Sequence, residues 1–274
     1  FQVSQRADYT TSAVTAGHDS YWLDRWMSLK SGTTSTVQRV TRTVNGIPQY
    51  AARIVCTVAG TGIIGFNQRV ELANIPVGRT LTASAMVRTN HPHVGFRTNT
   101  FQNSGGDRGV KVIPDGNWHR IYWTFDSTGT TNSSGGDLLI VAYNNTSVSI
   151  AVGDFIEIAE VQLEVGKVAT EFENRSFGEE LQLCQRYYQV HDGHYFQVVS
   201  PSTGATADFY VTLPYWVPMN HGPDVTESYT LSGATTNNLV TVTRTKAKFS
   251  LRPTTANSEV YVLADTLRLD AEIS

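Results

Sequence analysis

The feature of the sequence that most constrains the fold is the alternation of short β-rich runs with clusters of turn-forming residues. The runs in the first part of the chain lie at residues 37–44, 51–58, 80–88, 118–125, 138–143 and 154–163. The turn clusters between them are Asn45-Gly46, Ser104-Gly105-Gly106-Asp107, Asp115-Gly116 and Ser133-Ser134-Gly135-Gly136. Many strands at this spacing, without helical patterns between them, predict an all-β antiparallel sandwich rather than a parallel α/β sheet.

The composition agrees with strands and turns and excludes two classes of partner. Charged residues make up only 16% of the chain, and much of their place is taken by threonine, whose β-branched side chain fits a pleated surface. The formal net charge is -3 and no block of lysine or arginine occurs, so we expect no nucleic-acid partner. No run approaches the roughly 20 apolar residues that cross a bilayer, so we expect a soluble chain without membrane insertion.

One predicted helix interrupts the β pattern and divides the chain. Ser176 and Glu179 have the spacing of a capping box at its start. The apolar residues that share one helical face are Phe177, Leu181, Cys184 and Tyr188, and this stripe needs a seam between domains or subunits to cover it. Later β-rich runs lie at residues 196–199, 207–213, 239–245, 246–251, 260–264 and 267–269. We predict a sandwich over residues 1–173, a helical connector over 174–190 and a smaller C-terminal β domain over 191–274.

Two further features of the sequence have structural explanations. Cys56 and Cys184 lie far apart in apolar stretches, which favours two buried thiols over a disulfide. The segment Gly60-Thr61-Gly62-Ile63-Ile64-Gly65 has the spacing of a dinucleotide-binding fingerprint, but residues 66–72 alternate like a strand where that site needs a helix. We interpret the segment as a hairpin turn with a bulge.

The known sequence motifs of enzymes are missing. There is no nucleophile elbow, P-loop, His-Glu-x-x-His or Cys-x-x-Cys, which favours a protein that is not an enzyme. A glycosidase would need only two carboxylates about 5 to 9 Å apart, and such a pair leaves no signature in a sequence. The candidate carboxylates are Asp107, Asp115, Asp137 and Asp154. All four stand beside Gly or Pro in predicted turns, which explains them without a catalytic role.

The segment His91-Pro92-His93-Val94-Gly95-Phe96-Arg97 is a candidate binding loop because it combines imidazole, aromatic ring and guanidinium. Arg97 can hold a glycan carboxylate in bidentate fashion, with Phe96 or His93 stacking beside it. His91 and His93 also form a His-x-His pair. Two histidines are half of a zinc site, and no nearby Cys or His completes it, so we assign no metal.

Aromatic residues supply flat apolar faces of the kind that stack on sugar rings. The tryptophans are Trp22, Trp26, Trp118, Trp123 and Trp216. The contexts of Trp26 and Trp118 favour core packing, whereas Trp123 is open between core and surface. The cluster at residues 191–196 can line a groove, although an Asp192-Gly193 turn explains part of it. The candidate glycan-binding residues are therefore His91, His93, Phe96, Arg97, Trp123, Tyr195 and Trp216.

Several stretches carry a resemblance to a known group of proteins. They are residues 1–6 with 23–26, 156–166 with 170–173, 180–188, 213–226 and the closing 270–273. The combination of Gln162-Leu163-Glu164-Val165-Gly166 with Cys184-Gln185-Arg186-Tyr187-Tyr188 resembles bacteriophage tail-fibre and spike proteins with a carbohydrate-binding-module-like N-terminal part. Similar spikes occur on gene transfer agents. The resemblance touches both predicted domains, although members often carry a longer N-terminal anchor before the sandwich.

The resemblance implies a jelly-roll sandwich, a C-terminal β domain and a homotrimer on the surface of a virion. The implied partners are bacterial cell-surface polysaccharide and other virion proteins, and no catalytic cofactor is implied. A structural calcium ion is implied near the last strand of the sandwich, at the acidic residue before Val161, which here is Glu160. The expected function is attachment by non-catalytic glycan binding. Two alternatives stay open: a capsule-degrading or deacetylating tailspike enzyme, and a purely structural virion adaptor or decoration protein.

Overall fold

The chain forms two separately packed units, which are described one at a time. The structure, a computed structural model, describes residues 1–71, 74, 76–98, 112–127, 136–143, 149–199, 209–232, 234–253 and 259–272. The first unit spans residues 1–177 and the second spans residues 178–272. Nearly all of the helix therefore belongs to the second unit, and the predicted connector over residues 174–190 stays a prediction.

The first unit is built from β-strands. Their bounds are β1 (Val14–Thr15), β2 (Ser20–Leu23), β3 (Trp26–Ser31), β4 (Thr34–Val44), β5 (Ile47–Val58), β6 (Ile63–Val70), β7 (Arg79–Thr89), β8 (Val94–Thr98), β9 (His119–Ser127), β10 (Gly136–Tyr143) and β11 (Phe155–Val165). Each predicted run of the first part of the chain coincides with one of these strands, although the runs at 118–125 and 154–163 begin one residue before β9 and β11. The short strands β1 and β8 escaped prediction, since each has few residues and pairs with a strand that is distant in sequence.

These strands form two antiparallel sheets that face each other. In the described part of the unit, one sheet has six strands in the order β1-β4-β5-β11-β7-β9, and the other has five in the order β2-β3-β6-β10-β8. The core between them takes Ile54 and Ile156 from the first sheet and Phe66 and Ile140 from the second, all 0% exposed. The predicted all-β antiparallel sandwich of the jelly-roll type is confirmed.

The glycine-rich segment at residues 60–65 corrects one prediction. It is not the turn of a hairpin, because β5 lies in the six-stranded sheet and β6 in the five-stranded one. The segment carries the chain across the sandwich, and it passes so close to the β3–β4 turn that a Cβ on Gly62 would lie 1.5 Å from the carbonyl oxygen of Ser31. Because strand β6 follows the segment directly, the exclusion of a dinucleotide-binding helix stands.

Two local predictions are confirmed. Asn45 and Gly46, with φ of 50° and 81°, make the two-residue turn of the β4–β5 hairpin, whose primed geometry requires positive φ at both positions. Cys56 and Cys184 are both buried and free, as predicted for two structural thiols.

The second unit is a smaller β domain that begins with the helix. Its elements are α1 (Phe177–Gln185), β12 (Tyr188–Val199), β13 (Phe209–Pro214), β14 (Asp224–Ser232), β15 (Ala234–Val242), β16 (Lys246–Pro253) and β17 (Glu259–Asp270). The strands form two three-stranded antiparallel sheets, β12-β17-β14 and β13-β16-β15. The described side chains pack around Leu213, Met219 and Leu269. Within the described residues, no helix has the length and apolar character needed to cross a membrane.

The predicted helical stripe is found only in part. Cys184 is buried, but Phe177 is 61% exposed, and Tyr188 lies beyond the helix as the first residue of β12. The helix spans only nine residues and therefore buries less than the sequence pattern suggests. The predicted Asp192-Gly193 turn is wrong, because both residues lie inside β12, where Asp192 pairs with Thr266 of β17.

Candidate functional site

The outer face of the five-stranded sheet is the strongest candidate site in the described residues. Successive residues of a strand point to opposite faces, so the neighbours of the core residues Phe66 and Ile140 point away from the core. One row across the sheet consists of Met27, Asn67, Leu139 and Arg97. The adjacent row consists of Leu29, Gly65, Val141 and Gly95. We call these eight residues the outer face.

The floor of the outer face is apolar and enclosed. Leu29, Leu139 and Val141 form a cluster separate from the core and are 5%, 1% and 1% exposed. Gly65 is required in this floor because a Cβ would lie 2.7 Å from Cγ1 of Val141. An enclosed apolar floor with few polar groups is typical of pockets that hold a ligand through its C–H surface.

Asn67 is the first polar group on the floor. It is 2% exposed, and its Oδ1 is buried without a hydrogen-bond donor among the protein groups around it. Buried carboxamides are normally paired, because a lost hydrogen bond at a desolvated group costs about 1–3 kcal/mol. Sequence analysis missed Asn67, since a single asparagine within an alternating strand looks like any solvated position.

Arg97 is the second polar group and lies on the same row. It is half-buried on the edge strand β8, and its Nε is buried without an acceptor. Arg97 and Asn67 both pair with Leu139 of the strand between them, so their backbones are two strand spacings, about 10 Å, apart. The structure thus brings the predicted Arg97 together with a residue that was not predicted.

One ion pair borders the outer face. Arg69 Nε donates to Asp137 Oδ1 at 2.8 Å, with both side chains largely buried. Burial disfavours the charged guanidinium and is the largest single effect, but the hydrogen bond to Asp137 and the charges of Asp137, Tyr21 and Asp19 together raise the pKa of Arg69. Asp137 lies within strand β10, not in the turn predicted for it.

The rest of the predicted His91–Arg97 loop does not line a binding surface. Phe96 is 2% exposed and belongs to the core, because it points to the opposite face of β8 from Arg97. His91 is 1% exposed, and its Nδ1 accepts a hydrogen bond from the backbone of His93 at 3.2 Å. Burial lowers the pKa of His91, against the attraction of Asp154. The predicted ligand contacts by Phe96 and His91 are therefore wrong, while half-buried His93 stays a prediction.

The tryptophans of the first unit pack mainly against other side chains of the protein. Trp26 is in the core, as predicted. Trp123 is partly buried and packs against the core, with its ring stacked 4.5 Å from Phe125, so core packing accounts for it. Trp118 is not in the core. Its ring lies 4.9 Å from the guanidinium of Arg42 instead.

The side chain of Trp216 in the second unit is exposed, and neighbouring residues fix its position. It is 59% exposed, and the buried imidazole of His191 lies 4.3 Å from it. Oε1 of the buried Gln189 accepts hydrogen bonds from the backbone of Trp216 at 3.3 Å and shares one with His191 at 3.1 Å. The ring is available for the predicted sugar stacking, which stays a prediction. The side chain of Tyr195 lies outside the described residues.

The candidate catalytic carboxylates have structural partners. The pKa of Asp115 is lowered to about 2 by hydrogen bonds from the backbone of Asn117 and from His119. Asp154 accepts from the backbone of Ala151 at 2.7 Å, and Asp137 is paired with Arg69. Asp107 lies outside the described residues.

The position proposed for calcium is already neutralised by arginine. Glu160 has a φ of 50° within a bulge of β11, and its carboxylate pairs with Arg42 and with Arg120 at 3.3 Å. Two guanidinium groups at one carboxylate oppose the binding of a cation there. Across the part of the chain that the structure describes, no group of three His, Cys, Asp or Glu side chains is close enough to hold a metal ion.

A concave surface lies beside the six-stranded sheet. It is an open cleft of about 550 Å³ whose lining includes Asn45, Gln49, Asn174 and Arg120. Arg120 is fully engaged, since it bonds Glu160, Oγ of Ser84 at 2.9 Å and the carbonyl of Thr170 at 3.2 Å. Unlike the outer face, this cleft presents a charged group that already has its partners.

Comparisons with known proteins yield no family and several solved structures. No protein-family profile and no curated protein matches the sequence. One similar structure is the enzymatically active domain of bacteriophage CBA120 tailspike protein 4, with 11% identity and a TM-score of 0.38 over 52% of this chain and 19% of that one. A CBM4 structure has 15% identity and a TM-score of 0.36, with coverage of 52% and 88%. The tandem CBM22 domains of Paenibacillus barcinonensis Xyn10C have 10% identity and a TM-score of 0.37, with coverage of 98% and 100%.

Proposed function

We propose that this protein is a virion appendage component that attaches a particle to bacterial cell-surface polysaccharide by non-catalytic glycan binding at the outer face. The observation that carries the proposal is the pair Asn67 and Arg97, two polar side chains without partners on one row of an enclosed apolar face. Two polar groups without protein hydrogen bonds do not stabilise the fold. A bound ligand that supplies the missing hydrogen bonds accounts for them.

The chemistry of the outer face matches that of a sugar. A pyranose combines apolar C–H faces with a rim of hydroxyl groups, as the outer face combines apolar side chains with the polar groups of Asn67 and Arg97. The carboxamide of Asn67 can both donate to and accept from such hydroxyls, while Arg97 only donates. Two polar groups about 10 Å apart on one row can meet opposite ends of one or two sugar residues.

The location on a virion and the homotrimer are proposed from the sequence resemblance. A single sugar site is usually weak, and a trimer with several copies per particle raises avidity through effective concentration. Binding is favoured over cleavage because the described candidate acids are engaged in structural hydrogen bonds or ion pairs. The enzyme and the purely structural component remain the alternatives that the experiment must separate.

The test is a glycan array and a capsule pull-down with the whole chain, scored for retention and for released product. Asn67→Val removes the buried carboxamide at similar volume, and we expect about 3- to 10-fold weaker retention, the effect of one hydrogen bond. Asn174→Ala is the matched control, because it removes an exposed amide from the cleft beside the other sheet. The sedimentation coefficient of the same preparation reports the trimer.

The other outcomes each reject part of the proposal. Retention that depends on Asn174 but not on Asn67 moves the site to the cleft. Release of oligosaccharide or acetate supports the tailspike enzyme. If no glycan is retained and no product is released, the purely structural virion component is supported.

A further inference from the structure

We infer that the glycan bound at the outer face is acidic and that Arg97 holds its carboxylate, an inference that rests on the proposed function. The chemical class of ligand is a saccharide with one uronic-acid-type carboxylate per binding unit.

Of the eight arginines in the described strands of the first unit, six pair with an acid: Arg39 with Asp8, Arg42 with Glu160, Arg53 with Glu157, Arg69 with Asp137, Arg88 with Glu157 and Arg120 with Glu160. The other two are Arg97, which is half-buried, and Arg79, which is exposed at the start of β7. Among the described residues, no acid lies within ion-pair distance of Arg97, although its Nε is buried. A partly desolvated guanidinium without an acceptor is costly, so a bound anion supplies what the fold does not.

Arg97 is the one charged side chain among the eight residues of the outer face, and Asp137, which borders that face, does not serve it. Asp137 is held by Arg69 at 2.8 Å, and that pair leaves no net charge. The described charges of this face therefore sum to the single positive charge of Arg97. One unpaired cation matches one carboxylate better than a doubly charged phosphate ester, which would call for a second cation.

The arrangement also gives the bound sugar a direction. A planar guanidinium fork binds both oxygens of a carboxylate, which fixes the acidic end of the sugar at the sheet edge, on β8. Leu139 and Asn67, the next residues of the row, are only 1% and 2% exposed, so the carboxylate is held at the half-buried Arg97 and not deeper in the row.

The test compares acidic oligosaccharides with their uncharged methyl esters on the whole chain. The probes are oligomers of galacturonate, glucuronate and mannuronate, each measured by calorimetry as the free acid and as the ester. We expect at least one acid to bind and its ester to bind about 10- to 100-fold more weakly, the effect of hydrogen bonds to a charged group. Arg97→Gln should lose the same factor for the acid and nothing for the ester.

The matched control is Arg79→Gln, which removes an exposed arginine at the start of β7 and leaves affinity unchanged. Arg97→Lys keeps the charge without the fork and should recover only part of the affinity. Equal binding of acid and ester overturns the inference but leaves the proposed glycan binding intact. Binding of neutral glycans alone has the same meaning. Failure to bind any glycan, acidic or neutral, rejects the proposed function itself.

Discussion

At the scale of the residue, Asn67 and Gln189 are two buried carboxamides that differ in their hydrogen bonds. Gln189 of the second unit is an equally buried carboxamide, at 0% exposure, but its Nε2 donates to the carbonyls of Gln185 at 3.0 Å and Val217 at 2.7 Å. Asn67, at 2% exposure, has an Oδ1 without a donor. One buried amide therefore supports its surroundings, whereas the other makes no protein hydrogen bond at Oδ1.

This contrast gives a prediction for stability without ligand. Asn67→Val should raise the free energy of unfolding by about 1 kcal/mol, because it removes a desolvated group that makes no bond at Oδ1. Gln189→Met, at similar volume, should lower it by about 1–3 kcal/mol, because it leaves two carbonyls unpaired. Urea unfolding followed by circular dichroism measures both. A loss at Asn67 as large as that at Gln189 would show that Asn67 has a structural role.

The sequence indicated Arg97 but not its surroundings. The mixture of side chains at residues 91–97 drew attention to the right strand, yet Phe96 and Arg97 point to opposite faces, so only one can contact a ligand there. Asn67 is 30 residues earlier in the chain, and only the pairing of β6 and β8 with β10 brings it onto the same row. That register depends on side chains distant in sequence, so no local pattern reveals it.

At the scale of the element, Gly65 determines how closely β6 and β10 can pack. An added Cβ would lie 2.3 Å from the carbonyl oxygen of Ile140 and 2.8 Å from Cα of Val141, both backbone atoms. Backbone atoms of paired strands cannot move aside as the end of a flexible side chain can. The floor of the outer face therefore depends on a glycine at this position.

Gly65→Ala should destabilise the first unit by about 1–3 kcal/mol, the range of an overpacked core, and should also weaken glycan binding. Gly178→Ala in α1 is the control, because no atom lies within 4 Å of its added Cβ and alanine favours a helix. Thermal unfolding of the two variants measures the difference. Equal melting temperatures would mean that the strands adjust to the extra methyl group.

The sequence predicted elements better than their connections. Alternation gave the central strands and the Asn45-Gly46 hairpin, because these signals are local. The segment at residues 60–65 was misread as a hairpin, since glycines that turn a chain look like glycines that allow two backbone segments to approach closely. Asp192-Gly193 was misread as a turn for the same reason: pairing with β17 overrides its local preference.

At the scale of the whole molecule, the two units have separate cores. The core of the first unit draws on both sheets of the sandwich, and that of the second unit on residues from Leu213 onwards. Among the residues that the structure describes, the two clusters share none. Two cores without shared residues are expected to unfold in two steps, and a ligand that binds one unit stabilises the step of that unit alone.

Calorimetry of the whole chain should therefore show two transitions that respond to different changes. Leu269→Ala removes a fully buried side chain of the second core and should lower one transition, at a cost of about 2–5 kcal/mol. Gly65→Ala should lower the other, and an acidic oligosaccharide at 100 times its Kd should raise that same transition by about 2.7 kcal/mol of stability. A ligand that instead raises the transition lowered by Leu269→Ala would place the glycan site in the second unit, where Trp216 is the exposed ring. One transition shifted by both variants would show that the two cores unfold together.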